Sequence, residues 1–262
     1  MSRVFLLGGG DNEAGYVRTY WRFIEAAGTG RGRRIAIVVP EPPRGDRAEL
    51  EATWRAPFQL FDPVRKEDCR LLFVSRDDPL TAERLAHTDP TGVLVADGPR
   101  DVLHAALCRD KTWAALALER GLPCAGVGAG AALLARGFVA GGWLLPLLHA
   151  NIEVAPHDCG QGLDHVVLRE GLGLAPFALE VEATQRGGLV RLVQLVAEGA
   201  WPEGWAIDEG CMVEIDGAGE LRVSGANGAW RVTRNGEGRA QVQSLRAGTV
   251  LPASRWRTAE CA

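Results

Sequence analysis

Short apolar runs alternate with helix-like stretches over the first two-thirds of the chain. Each run holds only a few residues and is almost wholly apolar, which is typical of strands buried on both faces. The predicted strands are residues 4–7, 35–39, 71–74, 93–96 and 125–127, with a short extended piece at 58–61. The predicted helices are residues 13–27, 48–54, 80–86, 102–107, 113–120 and 129–136. This alternation predicts an α/β fold, a three-layer parallel sheet covered by helices on both faces.

The pattern changes after about Gly204. Short strand-like runs follow at 212–215, 221–223, 230–232 and 240–245, separated by turn signals at 216–217, 226–228 and 235–236. Asp-Gly and Asn-Gly pairs between such runs favour hairpins. We therefore expect a small antiparallel β extension over about 205–252, packed on the same core. Since no repeat or linker interrupts the chain, residues 1–262 are predicted to form one domain.

Composition excludes some classes of function. The chain has 29 basic and 33 acidic residues, a net charge of −4, which argues against nucleic-acid binding. No apolar run reaches the roughly 18–20 residues that cross a bilayer, and the N-terminus lacks a signal-peptide pattern, so we expect a cytoplasmic protein. The six cysteines are scattered without a metal-ligand spacing, so neither a metal nor another cofactor is expected. Glycine is abundant, at 33 residues.

The carboxyl ends of parallel strands are where ligands bind in such folds. The turn 126–130 joins a predicted strand to a predicted helix, the place of a nucleophile elbow, whose middle residue is strained and aims its side chain into the pocket. Here that residue is Gly128, which has no side chain. Three interpretations remain open: a packing turn, a dinucleotide-binding fingerprint formed by Gly126, Gly128 and Ala131, and an elbow without its nucleophile.

Five motifs in the same order resemble the cyanophycinase and peptidase E family, serine peptidases of the S51 type with a glutamine-amidotransferase-like fold. They are residues 5–10 with 34–39, the turn 126–131, residues 171–174, the arginine-containing stretch 185–192, and residues 205–209. The resemblance implies that the turn 126–131 is the family's G-T-S-A-G-A elbow. It also implies that function, if catalytic, is hydrolysis of aspartyl or isoaspartyl peptides.

The catalytic positions depart from the family pattern. Gly128 stands in place of the nucleophilic serine, and Glu182 stands in place of the histidine base, while Glu180 keeps an acidic character. Acyl transfer by this route needs both a nucleophile and a base. The candidate cleft comprises Gly9, Gly10, Asp97, Gly98, Arg100, Gly128, Ala129, Glu180, Glu182, Arg186, Arg191, Asp208 and Glu209.

The leading hypothesis is a catalytically degenerate protein that binds a peptide or amino-acid-like ligand. The alternative is an active hydrolase with a relocated nucleophile, for which Cys159, beside His157 and Asp158, is a candidate. Cys124 is expected inside a strand with its thiol in the core. A third hypothesis is a subunit that pairs with an active paralogue, since the family resemblance implies dimers; a homodimer is the other possibility.

Overall fold

The computed structural model describes residues 2–10, 13–29, 32–42, 47–60, 65–146 and 150–256. In chain order, its strands are β1 (Val4–Leu7), β2 (Ile35–Pro40), β3 (Cys69–Val74), β4 (Gly92–Val95), β5 (Cys124–Val127), β6 (Ala135–Gly141), β7 (Leu144–Pro146), β8 (Asn151–Glu153), β9 (Val167–Glu170), β10 (Ala175–Val181), β11 (Glu203–Ile207), β12 (Cys211–Ile215), β13 (Leu221–Gly225), β14 (Gly228–Arg234), β15 (Ala240–Arg246) and β16 (Val250–Leu251). Its α-helices are α1 (Glu13–Ala26), α2 (Arg47–Gln59), α3 (Ala82–Ala86), α4 (Arg100–Leu107), α5 (Thr112–Glu119), α6 (Ala129–Leu134), α7 (Gly188–Ala197) and α8 (Ala253–Trp256).

The first sheet has the strand order β16-β13-β12-β1-β5-β4-β2-β3. Neighbouring strands from β1 to β3 in this order are parallel, whereas β12, β13 and β16 join the other edge antiparallel. Side chains alternate between its two faces: Val4 and Leu6 belong to one buried cluster, Phe5 and Leu7 to another. Helices cover both faces, so the α/β class predicted from the apolar strands is confirmed.

A second sheet, which the sequence did not predict, has the order β15-β14-β11-β10-β6-β9. Its three central strands, β6, β10 and β11, are parallel. The short helix α6 packs against β1 and β5 of the first sheet and against β6 and β10 of the second, and all six of its residues are buried. The two sheets therefore share one hydrophobic core.

The C-terminal strands divide between the two sheets. The predicted turns at 216–217 and 235–236 close hairpins, β12 with β13 and β14 with β15. The predicted turn at 226–228 does not close a hairpin, because β13 belongs to the first sheet and β14 to the second. The antiparallel extension is thus confirmed in kind, but it extends two sheets instead of one.

Two predicted elements differ from the structure. The helix predicted at 129–136 ends at Leu134, and the chain continues directly into β6. The extended piece predicted at 58–61 is wrong at residues 58 and 59, which belong to α2, and residue 61 lies outside the described residues. Phe58 is buried on α2 and packs edge-to-face against Tyr20 of α1, at 5.6 Å between ring centroids. Among the described helices, none is long and apolar enough to span a bilayer.

Candidate active site

Strand ends from both sheets converge on one cleft. Gly9, Asp97 and Gly128 follow β1, β4 and β5 of the first sheet. Glu182 and Asp208 follow β10 and β11 of the second sheet. Parallel strands bring their carboxyl ends to the same edge, and loops there carry side chains without disturbing the sheets.

The turn at Gly128 has the backbone of a strained strand-to-helix elbow. Gly128 has φ 54° and ψ −121°, a conformation that a side-chain-bearing residue adopts only with strain. The flanking glycines allow close backbone approach: a Cβ on Gly126 would lie 2.5 Å from the Ala131 nitrogen, and one on Gly130 would lie 2.3 Å from the Val95 oxygen. The geometry is that of the elbow interpretation, with no side chain on its middle residue.

Asp97 fills the space in front of that elbow. Its Oδ1 accepts hydrogen bonds from the backbone N–H groups of Gly98 and Ala129, both at 2.8 Å. A Cβ on Gly128 would lie 2.4 to 2.6 Å from the Asp97 carboxylate atoms. The carboxylate therefore fills the space that a side chain at residue 128 would need. It also accepts hydrogen bonds from two amide donors of the kind that could stabilise an oxyanion.

Glu182 lies at the end of β10 with a positive φ of 54°, in the turn that leads to α7. Burial raises the pKa of its carboxyl group, and the nearby charges of Asp97 and Glu209 act in the same direction. Arg186 opposes this shift and lies 3.4 Å from Glu182, between Nε and Oε2. Glu182 therefore keeps its proton more readily than an exposed glutamate.

Glu180, two residues earlier, is fully buried between two arginines. Its Oε1 accepts a bond from Arg100 Nη1 at 3.1 Å, and its Oε2 accepts bonds from Arg191 Nε and Nη2 at 2.8 Å each. The arginines also donate to the backbone oxygens of Val139 and Gly142. Glu180, Arg100 and Arg191 thus form a buried ion cluster that joins β10, α4 and α7, and Arg100 also borders the cleft.

Asp208 and Glu209 lie in the turn between β11 and β12. Asp208 Oδ1 accepts hydrogen bonds from the backbone N–H and the hydroxyl of Thr184, at 2.9 and 2.7 Å. Asp208 therefore fixes the loop that carries Glu182 and Arg186. Glu209 is partly exposed, and a Cβ on Gly10 would lie 3.0 Å from its Cβ, so it borders the cleft beside the end of β1.

Two cavities meet at Asp97 and Gly98. The first, here called the aromatic cavity, has a volume of about 260 Å³ and is lined by Tyr20, Trp54, Pro57, Val127, Gly9 and Asp97, among others. The second, the charged cavity, has a volume of about 180 Å³ and is lined by Asp97, Arg100, Ala129, Gln161, Glu182 and Arg186, among others.

Sequence reasoning missed the aromatic wall and Gln161. The apolar spacing of the predicted helices at 13–27 and 48–54 placed Tyr20 and Trp54 on helices, but it did not indicate that they would face a cavity.

The five cysteines that the structure describes all have thiols with raised pKa values. Cys124 is buried in β5, as predicted, and burial raises the pKa of its thiol to about 12. Burial and the charge of Asp158 raise the pKa of the Cys159 thiol, which lies 3.8 Å from Asp158 Oδ1. A thiol with a raised pKa is a poor nucleophile near neutral pH. Within the described ranges, no group of three or more His, Cys, Asp or Glu side chains could hold a metal ion.

The crystal structure of a peptidase from an acI-B1 Actinobacterium matches this chain with a TM-score of 0.65. The chain shares the fold of that protein. The match covers 96% of this chain and 97% of the actinobacterial one, at 15% sequence identity. A peptidase E candidate from Listeria monocytogenes EGD-e matches with a TM-score of 0.49 and 15% identity, over 87% of this chain and all of the other. No protein-family model matches the sequence, and no curated protein is significantly similar to it. This chain and the actinobacterial peptidase thus share a fold at low sequence identity.

Proposed function

We propose that this chain is a peptidase E-like protein that has lost hydrolytic activity and acts by binding a small peptide or amino-acid-like ligand in the cleft. The observation that carries the proposal is the position of the Asp97 carboxylate. This carboxylate accepts hydrogen bonds from the backbone amides of Gly98 and Ala129, and it fills the space in front of Gly128. A substrate carbonyl would have to displace this carboxylate to reach the amide pair.

The chemistry of the remaining groups supports the same conclusion. Nucleophilic acyl transfer needs an oxygen or sulfur nucleophile and a base that takes its proton. Gly128 supplies no nucleophile, and Glu182 stands in place of the imidazole. The two cavities that meet at Asp97 could hold a ligand without a nucleophile or a base, so the residues present are sufficient for a binding function.

The test is a hydrolysis assay of the purified chain with α- and β-aspartyl dipeptides, in which release of free aspartate is measured. We expect no release above that of heat-inactivated protein. We also expect none from Gly128→Ser, because the base is absent and the new side chain would meet Asp97. Turnover by the wild type that is abolished by Glu182→Gln or Asp97→Ala would overturn the proposal.

A second candidate function is hydrolysis in which a carboxyl group activates water. The raised pKa of Glu182 is the observation that favours it, since a carboxyl group poised nearer neutral pH is a better general acid or base. This candidate predicts turnover that depends on Glu182. A hydrolase with a relocated nucleophile predicts instead covalent labelling of Cys159 by iodoacetamide, or of a serine by a fluorophosphonate, mapped by mass spectrometry.

Association with an active paralogue, or with a second copy of the chain, is compatible with a binding function. Purification of the tagged chain from its native host, followed by mass spectrometry of the proteins retained, tests the heteromer. Recovery of the tagged chain alone, as a monomer in size-exclusion chromatography, would argue against both forms of association.

A further inference from the structure

Among the described residues that line the aromatic cavity, one has a charged side chain. Tyr20, Trp54, Pro57 and Val127 supply an apolar lining, and Asp97 supplies the carboxylate. A volume of about 260 Å³ exceeds the roughly 150 Å³ that is enough to hold a benzene ring. The cavity therefore has room for an aromatic or aliphatic group of modest size.

One carboxylate oxygen of Asp97 accepts no hydrogen bond from the residues that the structure describes. Oδ1 accepts both amide hydrogen bonds, whereas Oδ2 has no hydrogen-bond donor among the described residues. Since carboxylate oxygens accept hydrogen bonds and attract cations, Oδ2 is suited to a donor that carries a positive charge.

The charged groups around the aromatic cavity also favour a positively charged ligand. Asp97 and Glu209 each lie near enough to Glu182 for their negative charges to act on it. The guanidinium of Arg100 is paired with Glu180, and its charge also offsets part of the negative charge around Glu182. Arg186 is the remaining cation of the charged cavity, and about half of its side chain is exposed to solvent.

We propose that the aromatic cavity binds an organic ammonium ion, with its apolar body against Trp54 and Tyr20 and its ammonium group on Asp97 Oδ2. This inference rests on the proposed binding function and names the chemical class of the ligand. Aromatic faces attract ammonium groups through the ring quadrupole, and a desolvated pocket strengthens that attraction. An anionic ligand would meet the carboxylate of Asp97, and the described residues of the cavity wall include no cation to balance it.

The test compares three probes that share a phenyl ring and differ in charge: phenethylammonium, 2-phenylethanol and phenylacetate. Each is titrated into the purified full chain at pH 7 by isothermal calorimetry, with saturation-transfer NMR for weak binding. We expect phenethylammonium to bind about tenfold or more tightly than 2-phenylethanol, and phenylacetate to bind least. Phenylacetate binding equal to or tighter than phenethylammonium would overturn the inference without the use of any variant.

Variants locate the site. Trp54→Leu should weaken phenethylammonium binding about fivefold. Asp97→Asn should weaken it about tenfold, because asparagine keeps an oxygen that accepts from the two backbone amides but lacks the negative charge. The matched controls are Trp21→Leu, an exposed tryptophan on α1, and Asp101→Asn, an exposed aspartate on α4. Equal affinities in all four variants would contradict binding in the aromatic cavity.

Failure of this inference can be told apart from failure of the proposed function. Absence of ammonium selectivity together with absence of dipeptide hydrolysis overturns the ligand class alone. Hydrolysis that depends on Glu182 or Asp97 overturns the loss of activity, whatever the titrations show.

Discussion

The carboxylate of Asp97 and a side chain on residue 128 exclude one another. A Cβ at Gly128 would lie 2.4 Å from Asp97 Cγ, far inside van der Waals contact. The two positions are 31 residues apart in sequence, yet they share one space at the ends of β4 and β5. A nucleophile therefore cannot be restored at residue 128 unless Asp97 moves from the amide pair.

Gly128→Ala should lower the free energy of unfolding by about 2–4 kcal/mol. The collision with Asp97 contributes roughly 1–3 kcal/mol and the positive φ about 1 kcal/mol. Urea denaturation followed by circular dichroism measures the change. The matched control is Gly121→Ala, where φ is 66° and an added Cβ would meet nothing within 4 Å, so only the strain is expected. The double variant Gly128→Ala with Asp97→Ala should lose less unfolding free energy than the sum of the two single variants, because the carboxylate that collides with the new Cβ is gone.

Glu180→Ala should be strongly destabilising, by about 3–5 kcal/mol, because it leaves the buried guanidinium groups of Arg100 and Arg191 without their carboxylate. Thermal and urea unfolding give the magnitude. Glu220→Ala removes an ion pair with Arg222 at the surface and should change stability by less than about 1 kcal/mol. Similar losses in the two variants would contradict the role given to the buried cluster.

Glu182→Gln should change how stability depends on pH. Because the pKa of Glu182 is raised in the folded protein, the native state binds more protons than the unfolded state between the ordinary value of 4.5 and the raised value. Its contribution to stability is therefore present at low pH and lost as the pH rises through the folded pKa. The variant should lack this loss, so its melting temperature relative to the wild type should increase from pH 4 to pH 7. Parallel curves over that range would show that the shift is absent.

Glu214→Gln should show the opposite pH dependence. Burial alone would raise the pKa of Glu214, but bonds from Arg22 and Arg3 outweigh it and hold the pKa below its usual value. The stabilisation is fully present above pH 4.5 and is lost as the pH falls through the lower, folded pKa. At pH 7 the variant should lose about 1–2 kcal/mol of unfolding free energy, since both arginines are partly exposed. The difference from the wild type should shrink in acid, as measured by urea denaturation at pH 3 and pH 7.

Local pattern predicted several features that the structure contains. The apolar runs predicted the parallel strands of the first sheet, and the glycine-rich sequence 126–130 predicted a tight turn from a strand to a helix with Gly128 in its middle. Both depend on short-range properties, namely burial on two faces and the backbone freedom of glycine. The cleft position of Asp97 also followed from its place after a predicted strand.

The partners of these residues were decided by the tertiary structure. Whether β13 and β14 form a hairpin or enter different sheets depends on how the two sheets pack, because the turn residues at 226–228 are compatible with either. The pairing of Glu180 with Arg100 spans 80 residues and required the two sheets to be in place. The sequence by itself determined the apolar strands, the hairpin turns and a glycine at residue 128. Only the tertiary structure placed the Asp97 carboxylate in front of that glycine, because a contact between distant segments depends on how whole sheets pack.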